Sequence, residues 1–122
     1  MITSDKLNSF QLSTHFNLRE FDCKCCGSVI IHPDLILKVE ILRQLLDVPL
    51  VINSGYRCPV HNKAVKGDPR SLHMKGLACD ISTQGINREK FLACARRIGF
   101  GGVGLYDSFV HLDIGPQRSW RG

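Results

Sequence analysis

The stretch SLHMKGLACD, Ser71 to Asp80, sets an imidazole and a carboxylate seven positions apart across a glycine and small residues. Read as a turn running into a strand, it offers metal-ligand chemistry. If GLACDIS is a strand, Leu77, Cys79 and Ile81 share one face and Ala78 and Asp80 the other. Ala78 is small enough to leave room for an ion beside Asp80, and Gly76 lets the backbone turn between the His73 segment and the strand. FVHLDIG repeats the logic: Val110, Leu112 and Ile114 form an apolar face, and Phe109, His111 and Asp113 the opposite one. His73, Asp80 and His111 thus make a two-histidine, one-carboxylate set. For zinc such a set leaves a fourth position open to water, as in catalytic sites. Facial-triad iron uses the same ligand types, so the pattern prefers zinc without excluding iron.

These residues need a scaffold, and 122 residues suit a single domain, 1-122, around one core, with residues 1-12 as an N-terminal arm. Pro33 and Asp34 open the best helix, HPDLILKVEILRQLLD, where Leu35, Val39, Leu42 and Leu46 recur at three- and four-residue spacing. PLVINSGYR reads as a buried strand running into a turn at Ser54 and Gly55, and CPVHNKAVKG as a short helix stopping at Gly67. Asn87 is a good cap for REKFLACARRIG, with Phe91, Leu92, Ala95 and Ile98 on one face and Gly99 as the stop. GFGGVGLY and SFVHLDIG give two short strands joined at Tyr106 to Ser108. This order predicts an α+β domain, a small, mainly antiparallel sheet packed with helices.

The net charge of +5 favours an anionic partner such as a cell-wall polymer. The basic residues are scattered, with only small clusters at Arg96, Arg97 and at Arg118, Arg121, so no nucleic-acid partner is expected. The first residues lack the basic and apolar regions of a signal peptide, and no apolar run has the length of a membrane span. Synthesis in the cytosol without a signal peptide, no membrane insertion and a monomeric state are the expectations.

Six cysteines remain to be placed. Cys23, Cys25 and Cys26 with Cys58 could bind a second, structural zinc. The spacing is not a paired CxxC, which favours free thiols or a disulfide to Cys58. Cys79 and Cys94 fall on core faces as inert small hydrophobes. His15, His32 and His61 have no partner at ligand spacing and read as structural. Ser71 is expected to bond backbone in the loop presenting His73, and Trp120 to pin the C-terminal segment to the body.

With SGYR, SxHxxGxAxD and FVHxD followed by a tryptophan, all in order from about Phe16 to Trp120, the sequence resembles the zinc D-alanyl-D-alanine carboxypeptidases and related peptidoglycan peptidases. The resemblance implies a small α+β fold shared with the hedgehog signalling domain, and one catalytic Zn2+ on His73, Asp80 and His111. It also implies that Arg57, the arginine of SGYR, holds the substrate or its developing oxyanion. The implied activity is cleavage of peptidoglycan stem peptides by a zinc-activated water, as a carboxypeptidase or an endopeptidase. The expected place of action is the bacterial cell wall: a compact chain with no signal peptide suits a phage-type endolysin released through the membrane by another protein, with a bacterial enzyme exported by another route as the alternative. The resemblance leaves the general base without an owner. Some relatives have a glutamate three residues before the second histidine, where Ser108 stands; others have a histidine two before it, where Phe109 stands. Asp113 is the first candidate, with a role in orienting His111 as its equal rival. Asp107 is the second. An inactive, zinc-stabilised module that binds cell wall or another ligand is the alternative function.

Overall fold

Helix α1 (Pro33–Leu46) starts with Pro33 in its first turn, where a missing N–H leaves no bond unmade. His32 caps it, its Nδ1 accepting the Asp34 N–H at 3.1 Å. The structure, a computed structural model, describes residues 10–122, so the expected N-terminal arm lies outside the described residues up to residue 9. Leu35, Val39, Leu42 and Leu46 are buried as the spacing predicts and Ile36 joins them, while Ile41 and Leu45 face outward. Asp47, in the left-handed region at φ 52°, ends the helix. Helix α2 (Pro59–Ala64) stops short of the expected Gly67. Helix α3 (Arg88–Ile98) has the expected ends: Asn87 accepts the Lys90 N–H at 3.0 Å, and Gly99 closes it at φ 94°.

Five strands form one sheet: β1 (Ile52–Ser54), β2 (Ala78–Ser82), β3 (Gly102–Leu105), β4 (Phe109–Asp113) and β5 (Arg118–Arg121), in spatial order β1-β2-β4-β3-β5. Every pairing is antiparallel except that of β5 with β3, so the fold is the expected α+β with a mainly antiparallel sheet. β5 is an addition to the sequence reading. Its side chains, RSWR, have no buried member and hence no apolar alternation; its backbone supplies the ladder.

Alternation along the strands separates two faces. Cys79, Ile81, Val103, Val110 and Leu112 join the buried residues of α1 and α3 in one core with Phe16 and Phe21. Those two phenylalanines meet edge to face, ring centroids 5.9 Å apart. The opposite face carries two rows that run straight across the strands. Ser54, Asp80, His111, Gly104 and Trp120 occupy one, and Ala78, Asp113, Gly102 and Arg118 the next. Among the described residues no helix is long and apolar enough to cross a membrane.

Candidate metal centre and its cleft

The first row brings Asp80 and His111 together because they are direct cross-strand partners on β2 and β4. His73 comes from the 3-10 turn Leu72–Lys75 packed against the strand end. The Ser71 hydroxyl accepts the His73 N–H at 3.2 Å, and Gly76 turns the chain back toward β2 at φ 71°. The atoms that result are tightly grouped. His73 Nε2 lies 3.1 Å from Asp80 Oδ1 and 3.2 Å from His111 Nδ1, and His111 Nδ1 lies 3.0 Å from Asp80 Oδ1.

What the other ring nitrogens do decides what this group can hold. His73 Nδ1 is 2.7 Å from the Gly55 carbonyl, which only accepts, so Nδ1 carries the proton. His111 Nε2 is 2.7 Å from Asp113 Oδ2 and is held as the donor by that carboxylate. With both rings neutral, two bare nitrogens and a carboxylate oxygen would turn toward one point. Positive charge is required there, and a divalent cation fits the donor set. Ionisation follows the same demand. Burial pushes the Asp80 carboxyl up, but hydrogen bonds with His111 and His73 outweigh it and hold the group well below the usual carboxylate range. Burial disfavours charge on His111 as well, yet bonds with Asp113 and Asp80 raise it above the ordinary imidazole value.

The second oxygen of Asp80 is also fixed. Arg57 Nη2 donates to Oδ2 at 3.1 Å, while its Nε donates to Ser54 Oγ at 3.1 Å and its Nη1 to Asn62 Oδ1 at 3.3 Å. Arg57 thus sits beside the ligand group and lines the same cleft.

Asp113 is fully buried behind His111, with no edge on that cleft. Its Oδ1 accepts from the Gly115 N–H at 2.9 Å and from Arg118 Nη1 at 3.0 Å. Burial pushes its carboxyl up, but His111 and Arg118 bring it down to about 2. Of the two roles expected for Asp113, this geometry suits orientation of His111. A proton acceptor facing the reacting water needs an accessible oxygen, and Asp113 presents none. Asp107, the second candidate base, lines a neighbouring cleft with Arg88, Glu89 and Arg121. Arg88 turns that loop outward by donating to the carbonyls of Tyr106, Asp107 and Phe109.

The last strand contributes what the sequence reading gave a merely structural role. Trp120 does tie β5 down, its Nε1 donating to Tyr106 Oη at 3.0 Å, but its ring also lies 5.0 Å from that of His111 and walls the cleft. Gly104 permits this, since a Cβ there would run into the indole. Gly102 likewise has no side chain to displace the Asp113 carboxylate. Tyr106 and Phe109, stacked with centroids 4.5 Å apart, continue the wall. Alternation could have flagged Phe109. Trp120 is marked in the sequence as the tryptophan that follows FVHxD, but its approach to His111 depends on a parallel pairing between distant segments.

A family model described as peptidase M15 matches residues 13–113. The chain belongs to the peptidase M15 family. Among its curated relatives, the peptidoglycan L,D-endopeptidase MepK of Escherichia coli (strain K12) is 35% identical over 99 residues, 74% of this chain and 54% of that protein. The probable peptidoglycan L,D-endopeptidase MepK of Haemophilus influenzae is 33% identical over 85 residues, 64% of this chain and 46% of that protein. The chain therefore spans about half the length of the curated relatives it matches. Both Arg118 and Trp120 lie beyond the M15 match.

Proposed function

We propose that this chain is a zinc-dependent peptidase domain that cleaves peptidoglycan stem peptides as an endopeptidase. The observation that carries the reading is the convergence of His73 Nε2, Asp80 Oδ1 and His111 Nδ1 on one point beside a cleft, in a chain of the M15 family. These three would hold the ion. Bound zinc supplies Lewis acidity, which lowers the pKa of a water to about 7 and makes hydroxide available at neutral pH. Arg57, which lines the cleft, contributes a permanent cation and stabilises the oxyanion of the attacked amide. Asp113 keeps the proton on His111 Nε2, and so keeps Nδ1 bare. Tyr106, Phe109 and Trp120 provide the apolar wall against which the stem peptide packs.

The relatives, L,D-endopeptidases by name, support an endopeptidase rather than the D-alanyl-D-alanine carboxypeptidase that the motifs alone admit. In this reading residues 1-122 form one catalytic domain, and its substrate places its action at the cell wall. One observation favours the second reading, a metal-stabilised binding module: neither Asp113 nor Asp107 offers a carboxylate to the cleft.

The test is muropeptide analysis of purified peptidoglycan after digestion with zinc-loaded protein, with His73→Ala as control. New stem-peptide fragments that vanish in the control establish the peptidase, and their masses name the bond. A wild type that binds one zinc at this centre yet releases nothing sinks it in favour of the binding module.

A further inference from the structure

A second group of ligands lies outside the cleft. Cys23, Cys25 and Cys26 from one loop and Cys58 from the segment after Arg57 bring their sulfurs within 4.8 Å of one another. Cys23 and Cys25 sulfurs are 3.7 Å apart, and those of Cys25 and Cys58 3.3 Å. Four thiolates about a zinc, each at about 2.3 Å, stand about 3.8 Å from one another. The cluster is close to that size without an ion.

The geometry points to a closed, structural tetrathiolate site for zinc or a similarly soft divalent cation on Cys23, Cys25, Cys26 and Cys58, independent of the catalytic reading. Two disulfides would need two close sulfur pairs, whereas here four sulfurs converge on a common centre. Two backbone donors also point at sulfur: Cys58 N–H at Cys23 Sγ and His61 N–H at Cys58 Sγ, both at 3.4 Å. N–H groups aimed at sulfur suit thiolates, which accept hydrogen bonds far better than disulfide sulfurs. Arg19, Lys24 and Asp22 line the same hollow, with Lys24 Nζ 3.7 Å from Asp22 Oδ1, so one net cation is left to offset part of the excess negative charge that four thiolates leave on a divalent ion. The chain spacing argued otherwise because C-x-C-C is not a paired C-x-x-C. The fold brings Cys58 to the loop all the same.

The placement gives the site a task. Cys58 follows Arg57 directly, and Tyr56 N–H already donates to the Phe21 carbonyl at 2.8 Å, so the two segments run side by side up to the cluster. Gly55 packs so closely on Phe21 that a Cβ there would stand 2.6 Å from Phe21 Cα. An ion shared by the loop and Cys58 clamps the segment that presents Arg57 to the cleft, and binding it releases the thiol protons.

The test begins with wild-type protein purified under reducing conditions, measured for metal by mass spectrometry and titrated with an organomercurial. Release of one metal per chain as four thiols react supports the site. A His73→Ala/His111→Ala variant should keep one equivalent, and its cobalt form should show the intense thiolate-to-cobalt charge-transfer and tetrahedral d–d bands. Adding Cys25→Ser/Cys26→Ser should abolish those bands and weaken cobalt binding at least a hundredfold. No metal released on thiol modification, or intact disulfides in the reduced preparation, overturns the proposal, as does a cobalt spectrum unchanged by the serine pair.

Discussion

Arg118 grips Asp113 end-on, Nη1 3.0 Å from Oδ1 and Nη2 2.9 Å from Oδ2, so a half-exposed guanidinium from the last strand neutralises a fully buried carboxylate behind His111. The pairing is bidentate, which fixes the carboxylate plane as well as its charge. The orientation of His111 is therefore set two residues removed, through Asp113 to Arg118.

Asp113→Asn should fold and lose metal affinity. An amide can present N–H to His111 Nε2 as readily as oxygen, so the proton is free to move to Nδ1. Zinc affinity is expected to fall about 10–100-fold, read by competition with a chromophoric chelator. Unchanged affinity with abolished turnover would instead make Asp113 the proton acceptor. Arg118→Ala, removing charged bonds from the same carboxylate, should lower unfolding free energy by about 1.5–3 kcal/mol in denaturant titrations.

Arg57→Lys tests the oxyanion role. One ammonium cannot span Ser54, Asn62 and Asp80 as the guanidinium does. Turnover of a stem peptide should drop about 10²–10³-fold with one zinc still at the centre. Loss of zinc in place of turnover would reduce Arg57 to an orienter of Asp80.

Gly104→Ala puts a methyl where the indole of Trp120 now lies. The cost of overpacking is expected at about 1–3 kcal/mol. Trp120 is the single tryptophan of the chain, so its fluorescence reports the cleft wall directly. A red-shifted emission together with a raised KM is the expected outcome; unchanged emission would show that the ring does not rest on residue 104.

Glu40 supplies a pH dependence away from the metal. It is buried on α1, yet it accepts from Ser13 Oγ at 2.6 Å and the His15 N–H at 2.7 Å and pairs with His15 Nδ1 at 2.7 Å. Burial pushes its carboxyl up, but these bonds prevail and bring it from 4.5 down to about 2. A depressed carboxyl stabilises the fold above its unfolded value and loses that contribution as pH falls through the folded one. Glu40→Gln should therefore cost about 2 kcal/mol near neutrality. The gap between variant and wild-type melting temperatures should close between about pH 4.5 and pH 2. A gap independent of pH would assign the effect to shape alone.

The candidate ligand group was legible because strand alternation put Asp80 and His111 on the polar face, and motif order added His73. Helix α1 was readable for a similar reason, its apolar spacing being set locally. What escaped were relations between distant segments. The grip of Arg118 on Asp113 leaves no mark in spacing, and spacing alone ranks the grouping of Cys58 with Cys23, Cys25 and Cys26 below free thiols or a disulfide, since each depends on which segments the sheet and loops bring side by side. Asp107 shows the converse relation. It is near His111 in the chain, but the β3–β4 turn, held by Arg88, faces another cleft.

Strand order also ranks the site by how easily its parts can come apart. Asp80 and His111 sit on β2 and β4, each hydrogen-bonded on both sides, whereas Trp120 and Arg118 ride on β5, which has a single neighbour among the described strands. Edge pairings open at lower free energy than interior ones. Opening of β5 would therefore take Trp120 from the cleft wall and Arg118 from Asp113 in one movement, while the backbone pairing of Asp80 with His111 stays closed.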